Sequence, residues 1–263
     1  MSRRLMLAVL LIAVLPSWAQ QRKGTVVRKG ARQSVRAVSR PKMPVEYVAE
    51  YNFGATNDNN DNGRFMSLDE SRSRRPKGFH IPTIEEWCGI FPLNGVLSFQ
   101  ADDEVLGNYE VVEIAGETYT FESDYQRNDR ICYALRFKDE SNKFLCAYRY
   151  KRIGEFIKDS QKSGVEVRAI YLGPTFKGSL ETISNEAYWK KNQAKVVKRY
   201  FPLAGYFGND FPDMPFDRGT TGYYWSNQDD GGESIIIRMD IERVRSSTEG
   251  PWNKLPLRLF TNE

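Results

Sequence analysis

The polar loop at residues 54–63 contains the closest match in this sequence to a metal-binding motif. Asp58, Asn60 and Asn62 alternate along it, as oxygen ligands do in the first half of a calcium-binding EF-hand loop. The twelfth position is Asp69, where the motif uses a bidentate Glu, and a predicted strand precedes the loop where an EF-hand has a helix. Because Asn, Asp and Gly also form ordinary turns, we expect a turn here, with a calcium site as the alternative.

A second group of oxygen ligands lies near the C-terminus, beside a run of aromatic residues. Aromatic rings next to acids suit sugar stacking, but the aromatic run Gly222–Ser226 also predicts core packing, since aromatic side chains dominate burial. We expect this run and Pro202–Tyr206 to face the interior. Any ligand would then be held by the loops at 207–221 and 228–233. The candidate ligand-binding residues in these loops are Asp210, Asp213, Asp217, Asp229 and Asp230.

The single histidine gives no indication of an active site, and the common catalytic motifs are missing from the sequence. His80 lies just before Pro82, and a general base needs a partner within hydrogen-bond reach, so we expect a structural role for it. The sequence contains no G-x-S-x-G nucleophile elbow, no phosphate-binding P-loop and no H-E-x-x-H zinc motif. We therefore expect no catalytic residues and no cofactor.

The three cysteines are Cys88, Cys132 and Cys146. There is no C-x-x-C motif, and one histidine leaves too few ligands for a Cys/His zinc site. A hairpin whose apolar faces match pairs Phe137 with Phe144, and this register turns Cys132 and Cys146 to opposite faces. A disulfide between them then fails on geometry, so we expect buried free thiols.

Charge is distributed unevenly along the chain. The 263 residues carry 38 basic and 34 acidic side chains, a net charge of +4. Ten of the basic residues and none of the acidic residues lie in 1–45, which leaves 28 basic against 34 acidic residues, a net of −6, in 46–263. The pI near 8.8 therefore reflects the N-terminal segment. The acidic remainder argues against nucleic-acid binding.

Residues 1–19 are typical of a secretory signal peptide. Two arginines precede the apolar run Leu5–Leu15, and Ser17 and Ala19 place small residues at −3 and −1 of a cleavage site. The run is shorter than the roughly 20 residues that span a bilayer, although an uncleaved N-terminal anchor is the alternative. We expect export through a cleavable signal peptide and no transmembrane segment in the mature chain. The destination would be the periplasm, the outer-membrane surface or the extracellular space.

The segment that follows, 20–45, is polar and basic and has no periodic apolar face. Like charges repel and there is little apolar surface to bury, so we expect a disordered linker. Its simplest role is a solvated tether. The alternative is association with the anionic surface of the envelope.

The remaining residues, 46–263, predict a single α+β domain with mostly antiparallel strands and two main helices. The first helix is capped by Thr83, with Glu86 as its capping-box partner, and is ended by Pro92. The second spans Ser184–Arg199, with basic residues in its last turns. The predicted strands are Val45–Phe53, two hairpins and further strands within 94–172, a strand at 235–241 buried on one face, and a last strand at 255–259.

Short motifs occur in a fixed order along 46–263. They are Asn52–Thr56, Gly78–Thr83 followed by Glu86-Trp87, Pro202–Tyr206, Gly222–Ser226 and the weaker match Leu257–Leu259. Together they resemble the Fibrobacter succinogenes major paralogous domain, a family abundant in exported proteins of Bacteroidetes. The resemblance implies a C-type-lectin-like fold, related to that of formylglycine-generating enzymes. The middle region, 94–199, would be a long insertion into that fold.

The resemblance does not extend to the known active sites of such folds. A sugar-binding C-type lectin would show a Glu-Pro-Asn or Gln-Pro-Asp loop and a Trp-Asn-Asp strand, and this sequence has neither. The oxidase-type relative uses a cysteine pair near the C-terminus, and no cysteine follows Cys146. The sequence therefore favours an exported, non-catalytic binding module of the envelope or cell surface, with a glycan or a cell-surface protein as partner. The alternative is a structural or assembly subunit of the envelope or of a surface appendage.

Overall fold

The computed structural model describes residues 40–57, 62–93, 97–99, 110–114, 117–121, 124–128, 130–139, 141, 143–155, 158, 162–173 and 175–262. The helices and strands named below belong to the unit Pro41–Glu263. The expected signal peptide at 1–19 lies outside the described residues, as do residues 20–39 of the expected linker at 20–45. The predicted end of the linker is wrong, because Met43 and Val45 are buried in the core of the domain.

Helices in the described residues are few and short. They are α1 Pro44–Tyr47, α2 Leu68–Arg74, α3 Ile84–Ile90, α4 Leu180–Ile183 and α5 Glu186–Lys191, followed by a 3-10 turn at Gln193–Lys195. Strands make up most of the regular structure. They are β1 Phe65–Met66, β2 Phe79–His80, β3 Leu97–Ser98, β4 Glu110–Ile114, β5 Glu117–Phe121, β6 Asp124–Asn128, β7 Ile131–Lys138, β8 Phe144–Ile153, β9 Gly164–Tyr171, β10 Val197–Pro202, β11 Tyr206–Gly208, β12 Phe211–Phe216, β13 Gly222–Asp230, β14 Glu233–Met239, β15 Arg243–Glu249, β16 Leu255–Pro256 and β17 Phe260–Thr261.

Two antiparallel sheets organise these strands. The larger has the order β6-β7-β8-β9-β10 and comes mostly from the middle of the chain. The smaller has the order β13-β14-β15-β3. Four two-stranded ladders complete the structure: β4 with β5, β11 with β12, β1 with β16, and β2 with β17. The predicted α+β class with antiparallel strands is confirmed.

The largest hydrophobic cluster lies between the two sheets and α3. The larger sheet contributes side chains such as Tyr148 and Val167, the smaller contributes Tyr224 and Ile237, and α3 contributes Trp87. Residues of the middle region and of both ends of the domain therefore share one core. Removing either part would expose the apolar face of the other.

Both sheets are also covered on their outer faces. Trp189 of α5 packs against Tyr133 and Leu135 of β7, on the side of the larger sheet that faces away from the main core. On the smaller sheet, Trp225 and Ile236 pack against the leucines of the C-terminal segment. A strand buried on two faces is mostly apolar at successive positions, so its sequence approaches a continuous apolar run instead of an alternating one.

This double burial explains why the predicted register of the cysteine hairpin is wrong. Phe144 pairs with Lys138, one residue away from the predicted pairing with Phe137. A shift of one residue exchanges the faces of a strand. Phe137 has a positive φ of 61°, and its side chain lies in the main core with those of Cys132 and Ala134.

The three thiols are free and buried, as predicted, but the reason given for the absence of a disulfide is wrong. Cys132 and Cys146 contribute to the same core cluster, so they do not lie on opposite faces. Cys132 pairs with Tyr150 and Cys146 pairs with Arg136. Four residues of strand therefore separate the two cysteines, roughly 13 Å along the sheet. That separation exceeds the reach of a disulfide.

The first predicted helix is confirmed in detail. Thr83 accepts a hydrogen bond from the backbone N–H of Glu86 (3.2 Å), and the Glu86 carboxylate accepts one from the N–H of Thr83 (2.8 Å). The helix ends with Phe91 as its C-cap, one residue before Pro92. The last carbonyls of α3 accept hydrogen bonds from the buried guanidinium of Arg136. A cation at this end also suits the helix dipole.

The second predicted helix, Ser184–Arg199, is confirmed only for Glu186–Lys191, and its predicted start and end are wrong. Ser184 ends α4, Asn185 caps the six-residue α5, and Val197–Pro202 form β10, which pairs with β9. The basic residues near its end suggest a helix terminus, but the cross-strand pairing of Val197 with Ala169 determines the local structure. Sheet context overrides helix propensity here.

Three predicted strands also differ from the structure. Val45–Phe53 contains the helical turn α1, because Pro44 opens it and the Glu46 carboxylate accepts a hydrogen bond from the N–H of Met43 (2.7 Å). The strand predicted at 235–241 is β14, but it is buried on both faces and Ile241 lies outside it, exposed. The predicted strand at 255–259 consists of β16 and an irregular segment before β17.

Candidate functional site

The predicted ligand loop at 207–221 is mainly a β-hairpin. β11 and β12 pair Tyr206 with Phe216 and Gly208 with Phe211. The hairpin is joined to the rest of the domain by mutual backbone hydrogen bonds between Phe207 and Lys254 (2.9 and 3.0 Å). It is therefore a defined surface of the fold and not an irregular loop.

One side of the hairpin packs on the domain through aromatic rings. Tyr206 stacks on Phe216, with centroids 5.2 Å apart, and meets the edge of Tyr223 at 5.0 Å. Phe207 makes an edge-to-face contact with Phe65 at 4.8 Å. Such pairs contribute roughly 0.5–1.5 kcal/mol beyond area burial, so they hold the hairpin on the domain.

The hairpin and the segment beside it carry large apolar side chains that are more than half exposed. Phe211 and Met214 are each 56% exposed, and Trp252 is 59% exposed. Trp252 adjoins the hairpin because the side-chain oxygen of Asn253 accepts a hydrogen bond from the N–H of Asn209 at the tip (3.1 Å). We call Phe211, Met214 and Trp252 the hairpin surface.

The three aspartates of this region have different environments. Asp210 and Asp213 are exposed next to the hairpin surface. Asp217 has a positive φ of 54° at the base of the hairpin, and its carboxylate accepts a hydrogen bond from the Tyr223 hydroxyl (2.5 Å). Burial, and then this bond, raise the pKa of Tyr223 well above its usual value. Asp217 therefore holds the hairpin in position.

The other two candidate aspartates lie at the far end of β13. Asp229 accepts hydrogen bonds from Arg72 (3.3 Å) and from the Ser234 hydroxyl (3.1 Å), whereas Asp230 is exposed. Six residues of β13 separate Tyr223 from Asp229, roughly 20 Å of strand. In the described part of the chain, no group of three or more potential metal ligands comes together. The five aspartates therefore do not form one site.

The aromatic run Gly222–Ser226 fills the core, as predicted. The side chain of Trp225 is 0% exposed, and its Nε1–H donates to the carbonyl of Met66 (2.9 Å). The Trp225 carbonyl accepts in turn from Nε1–H of Trp87 (3.1 Å). Trp225 is therefore unable to serve as a stacking platform for a sugar. Among the described tryptophans, only Trp252 is exposed.

Asn62 is the one member of the predicted calcium loop that the structure describes; Asp58 and Asn60 lie outside the described residues. Asn62 is buried, and its carbonyl accepts a hydrogen bond from the side-chain amide of Asn52 (3.0 Å). This bond closes the loop onto the domain and fits the turn interpretation.

The sequence interpretation overlooked two adjoining concavities around residues 75–80. The first, with a volume of about 360 Å³, is lined by Arg75, Lys77, Gly78, His80 and Asn262 together with residues that it shares with the second. We call it the basic pocket. The only signal for it in the sequence is the cluster of basic residues at 72–77.

The second concavity, with a volume of about 210 Å³, is mainly apolar. We call it the apolar groove; its lining includes Phe53, Leu259 and Tyr51. Pro76 and Phe79 line both the groove and the basic pocket, so the two concavities lie side by side. Cavities of this kind, apolar with a few charged groups to one side, are typical of small-ligand sites.

His80 lies at the inner wall of the basic pocket between two acceptors. Its Nε2 is 2.7 Å from a carboxylate oxygen of Glu86, and its Nδ1 is 2.7 Å from the side-chain oxygen of Asn262. The hydrogen bond to Glu86 is the largest cause that raises the pKa of His80. An imidazolium, which has two N–H groups, fits both acceptors at once.

We expect the free energy of unfolding to fall as the pH rises above neutrality. The folded protein binds the His80 proton more tightly than the unfolded chain, in which a histidine has a pKa near 6.5. The stabilisation is complete below that pH and is lost as the pH rises through the higher pKa of the folded state. Urea titrations between pH 6 and 9 measure it. Because the sequence has a single histidine, His80→Gln should remove most of the pH dependence in this range; an unchanged slope would contradict the assignment.

In the part of the chain that the structure describes, no helix is long and apolar enough to cross a membrane. No curated protein and no solved structure matches the sequence. A family model described as a domain of unknown function, DUF8237, matches residues 40–260. The match includes the two sheets, the hairpin surface and the residues of the basic pocket except Asn262. The chain therefore belongs to the DUF8237 family.

Proposed function

We propose that this protein is an exported, non-catalytic binding module of the cell envelope or cell surface, and that the hairpin surface contacts its ligand. The observation that carries the proposal is the grouping of Phe211, Met214 and Trp252 on one supported structure, each more than half exposed. Large apolar side chains that stay exposed together mark interaction sites more often than isolated ones do.

A protein is the ligand that these side chains favour over a glycan. Phenylalanine, tryptophan and methionine are enriched at protein interfaces. Both ends of the Asn253 amide already form hydrogen bonds, with Asn209 and with Glu249 (2.7 Å), so the polar groups beside the apolar side chains that remain for a ligand are the exposed carboxylates of Asp210 and Asp213. Pro212 and Pro215 lack backbone N–H groups, so β12 is poorly suited to adding a partner strand, and recognition would use side chains.

The expected location rests on the N-terminal sequence. The signal-peptide pattern of 1–19 supports export, and the basic segment 20–45 would serve as a tether that keeps the domain at the envelope. Asp210 and Asp213 beside the hairpin surface would then meet basic or polar groups at the rim of a partner's interface.

We also propose that the fold is C-type-lectin-like and related to the major paralogous domain. Contacts between the matching motifs support this: Arg258 donates to the Asn52 side chain (2.8 Å), and Trp87 donates to the Trp225 carbonyl. Gly205 and Gly222 form a bridge between two further motifs. An experimental structure of a major paralogous domain with a different strand order would contradict the proposal.

The double variant Phe211→Ser/Met214→Ser should abolish partner binding while leaving the fold intact. Removing two central apolar contacts is expected to weaken binding on the order of 100-fold. Photo-crosslinking groups placed at Trp252 in the full chain, expressed in the producing cells, would identify the partner. Its affinity for the purified wild-type and variant proteins would then be measured by titration calorimetry.

The matched control is Ile241→Ser, which removes an exposed apolar side chain outside the hairpin. It should bind the partner as the wild type does. Equal binding by wild type and the double variant would overturn the role of the hairpin surface. A glycan-array signal lost in the double variant would identify a glycan instead, and a stoichiometric complex that survives purification would favour the alternative of an envelope assembly subunit.

A further inference from the structure

We propose that the basic pocket and the apolar groove together form a second binding site, which takes a phosphate or sulfate ester with an apolar substituent. The anionic group would lie between Arg75, Lys77 and Asn262, and the substituent would lie along Phe53, Phe79 and Leu259. This site is separate from the hairpin surface and does not depend on the function proposed for it.

Charge in the pocket is the first argument. Arg75 and Lys77 are exposed at its rim, and no hydrogen bond or ion pair is found for either side chain among the described residues. Glu50, in the groove, is the one carboxylate among the described residues that line either cavity, and it accepts a hydrogen bond from the Tyr51 hydroxyl (2.9 Å). The pocket therefore has an excess of positive charge, which a tetrahedral oxyanion would neutralise.

The shape of the turn is the second argument. Gly78 has a positive φ of 86°, and a Cβ placed on it would meet no atom within 4 Å, so the backbone here is open to the pocket. The turn is fixed by the hydrogen bonds from Phe79 N–H to the Pro76 carbonyl (3.2 Å) and from Asn262 N–H to the Gly78 carbonyl (3.0 Å). The cations at its rim are thus carried by a defined loop.

The third argument is the proximity of the two concavities. Pro76 and Phe79 line both the pocket and the groove, so a ligand whose anionic group lies in the pocket can place its substituent in the groove across these two side chains. Phe53 and Phe79 are half-buried and pack against the second core cluster, which leaves part of each ring for contact. An inorganic anion would use only half of this site, whereas an ester with an apolar group would use all of it.

His80 acts as a positioning residue, because its protonation decides which end of the Asn262 amide faces the pocket. The imidazolium donates to the Asn262 oxygen and to Glu86, so the amide Nδ2 of Asn262 remains as a donor for the anion. A neutral imidazole has only one N–H, and the Glu86 carboxylate is the stronger acceptor. The amide would then turn to donate to Nδ1 and present its oxygen to the pocket, which repels an anion.

The charged and polar groups that surround His80 determine how strongly its protonated form is favoured. Glu86 of α3 favours the imidazolium, and Arg75 in the segment before β2 opposes it. Lys77 lines the same pocket, Asn262 follows β17, and the ring of Phe260 in β17 lies 6.3 Å away. Glu263, the next residue, lies outside the described residues. The Glu86 hydrogen bond is the largest of these effects, and it raises the pKa of His80 above the usual value of a histidine.

Titration calorimetry on the full chain with four probes tests the site: inorganic phosphate, hexyl phosphate, hexyl sulfate and hexanol. We expect hexyl phosphate to bind roughly tenfold or more tightly than inorganic phosphate, because two or three methylenes enter the groove. Hexanol should not bind measurably. Equal affinity for hexyl phosphate and inorganic phosphate would overturn the shared site.

Charge removal tests the pocket itself. Arg75→Gln/Lys77→Gln should weaken hexyl phosphate binding at least tenfold, because two charged contacts are lost. Both side chains are exposed, so the variant should unfold at the same temperature as the wild type. The matched control is Lys190→Gln/Lys191→Gln, which removes the same charge from exposed positions on α5 and should bind within twofold of the wild type. Equal losses in both variants would show general charge attraction and overturn the proposal.

The pH profile tests the role of His80, with hexyl sulfate as the probe because its charge is constant between pH 5 and 9. Wild-type affinity should fall roughly fivefold or more across this range. In His80→Gln the affinity should not depend on pH. A pH dependence that persists in His80→Gln would overturn the positioning role.

Vesicles distinguish a lipid headgroup from a soluble ester. Phosphatidic acid and phosphatidylserine vesicles of matched composition would be sedimented with wild type and Arg75→Gln/Lys77→Gln. Preference for phosphatidic acid that the variant loses identifies a lipid phosphate. Binding to hexyl phosphate alone identifies a soluble phosphate ester, and binding to neither overturns the proposal.

Discussion

Arg258→Leu is expected to lower the free energy of unfolding by about 3–5 kcal/mol. The buried guanidinium donates to the Asn52 side chain (2.8 Å) and to the carbonyls of Ala49 (3.0 Å), Glu50 (2.8 Å) and Tyr200 (2.5 Å). It also lies over the ring of Phe201, 4.8 Å from the centroid. Leucine would leave these buried acceptors without a donor. Urea unfolding at pH 7 measures the loss.

Arg258→Lys separates charge from geometry. Lysine keeps the positive charge but lacks the planar fork that reaches several carbonyls at once, so we expect roughly half of the loss to remain. Arg74→Leu is the matched control, because Arg74 is exposed at the end of α2. It should change stability by no more than about 0.5 kcal/mol. A loss of less than 1 kcal/mol in Arg258→Leu would show that the carbonyls find other partners.

Trp225→Ala and Trp252→Ala should have opposite consequences although they remove the same side chain. Trp225 is fully buried, and its loss leaves a large cavity and an unpaired Met66 carbonyl. We expect a cost of about 3–5 kcal/mol, measured by thermal or urea unfolding. Trp252 is 59% exposed, so its removal should change stability by less than about 0.5 kcal/mol.

Binding provides the second readout for this pair. Trp252→Ala should weaken binding of the partner that crosslinking identifies, because Trp252 belongs to the hairpin surface. Trp225→Phe keeps most of the core volume and should retain binding under conditions where it remains folded. If Trp252→Ala destabilised the fold as much as Trp225→Ala, Trp252 would be a core residue and the hairpin surface would lose its main aromatic contact.

Local signals in the sequence predicted the parts of the fold that depend on neighbouring residues. The Thr83–Glu86 capping box formed as predicted, because both of its hydrogen bonds join residues three apart. The further strands predicted within 94–172 include β9, Gly164–Tyr171. The capping box depends on no distant contact, so the sequence alone is sufficient to predict it.

The predictions that failed depend on distant pairing. Residues 184–199 have helix-like ends, but β9 binds Val197–Pro202 as a strand. The register of β7 against β8 was undetermined because both faces of β7 are buried, so matching apolar faces does not select one register. The basic pocket joins residues 75–80 to Asn262, which is more than 180 positions away.

The sequence by itself determined the antiparallel α+β class, the α3 helix, the free buried thiols and the inward packing of the aromatic run before Ser226, because composition and short-range spacing control these features. Only the tertiary structure decided which aromatic residues remain exposed and which charges remain unpaired. Trp225 and Trp252 are chemically identical, and Arg258 and Arg75 are as well. Their different roles arise because long-range packing buries one member of each pair among acceptors and leaves the other beside a cavity or at the surface.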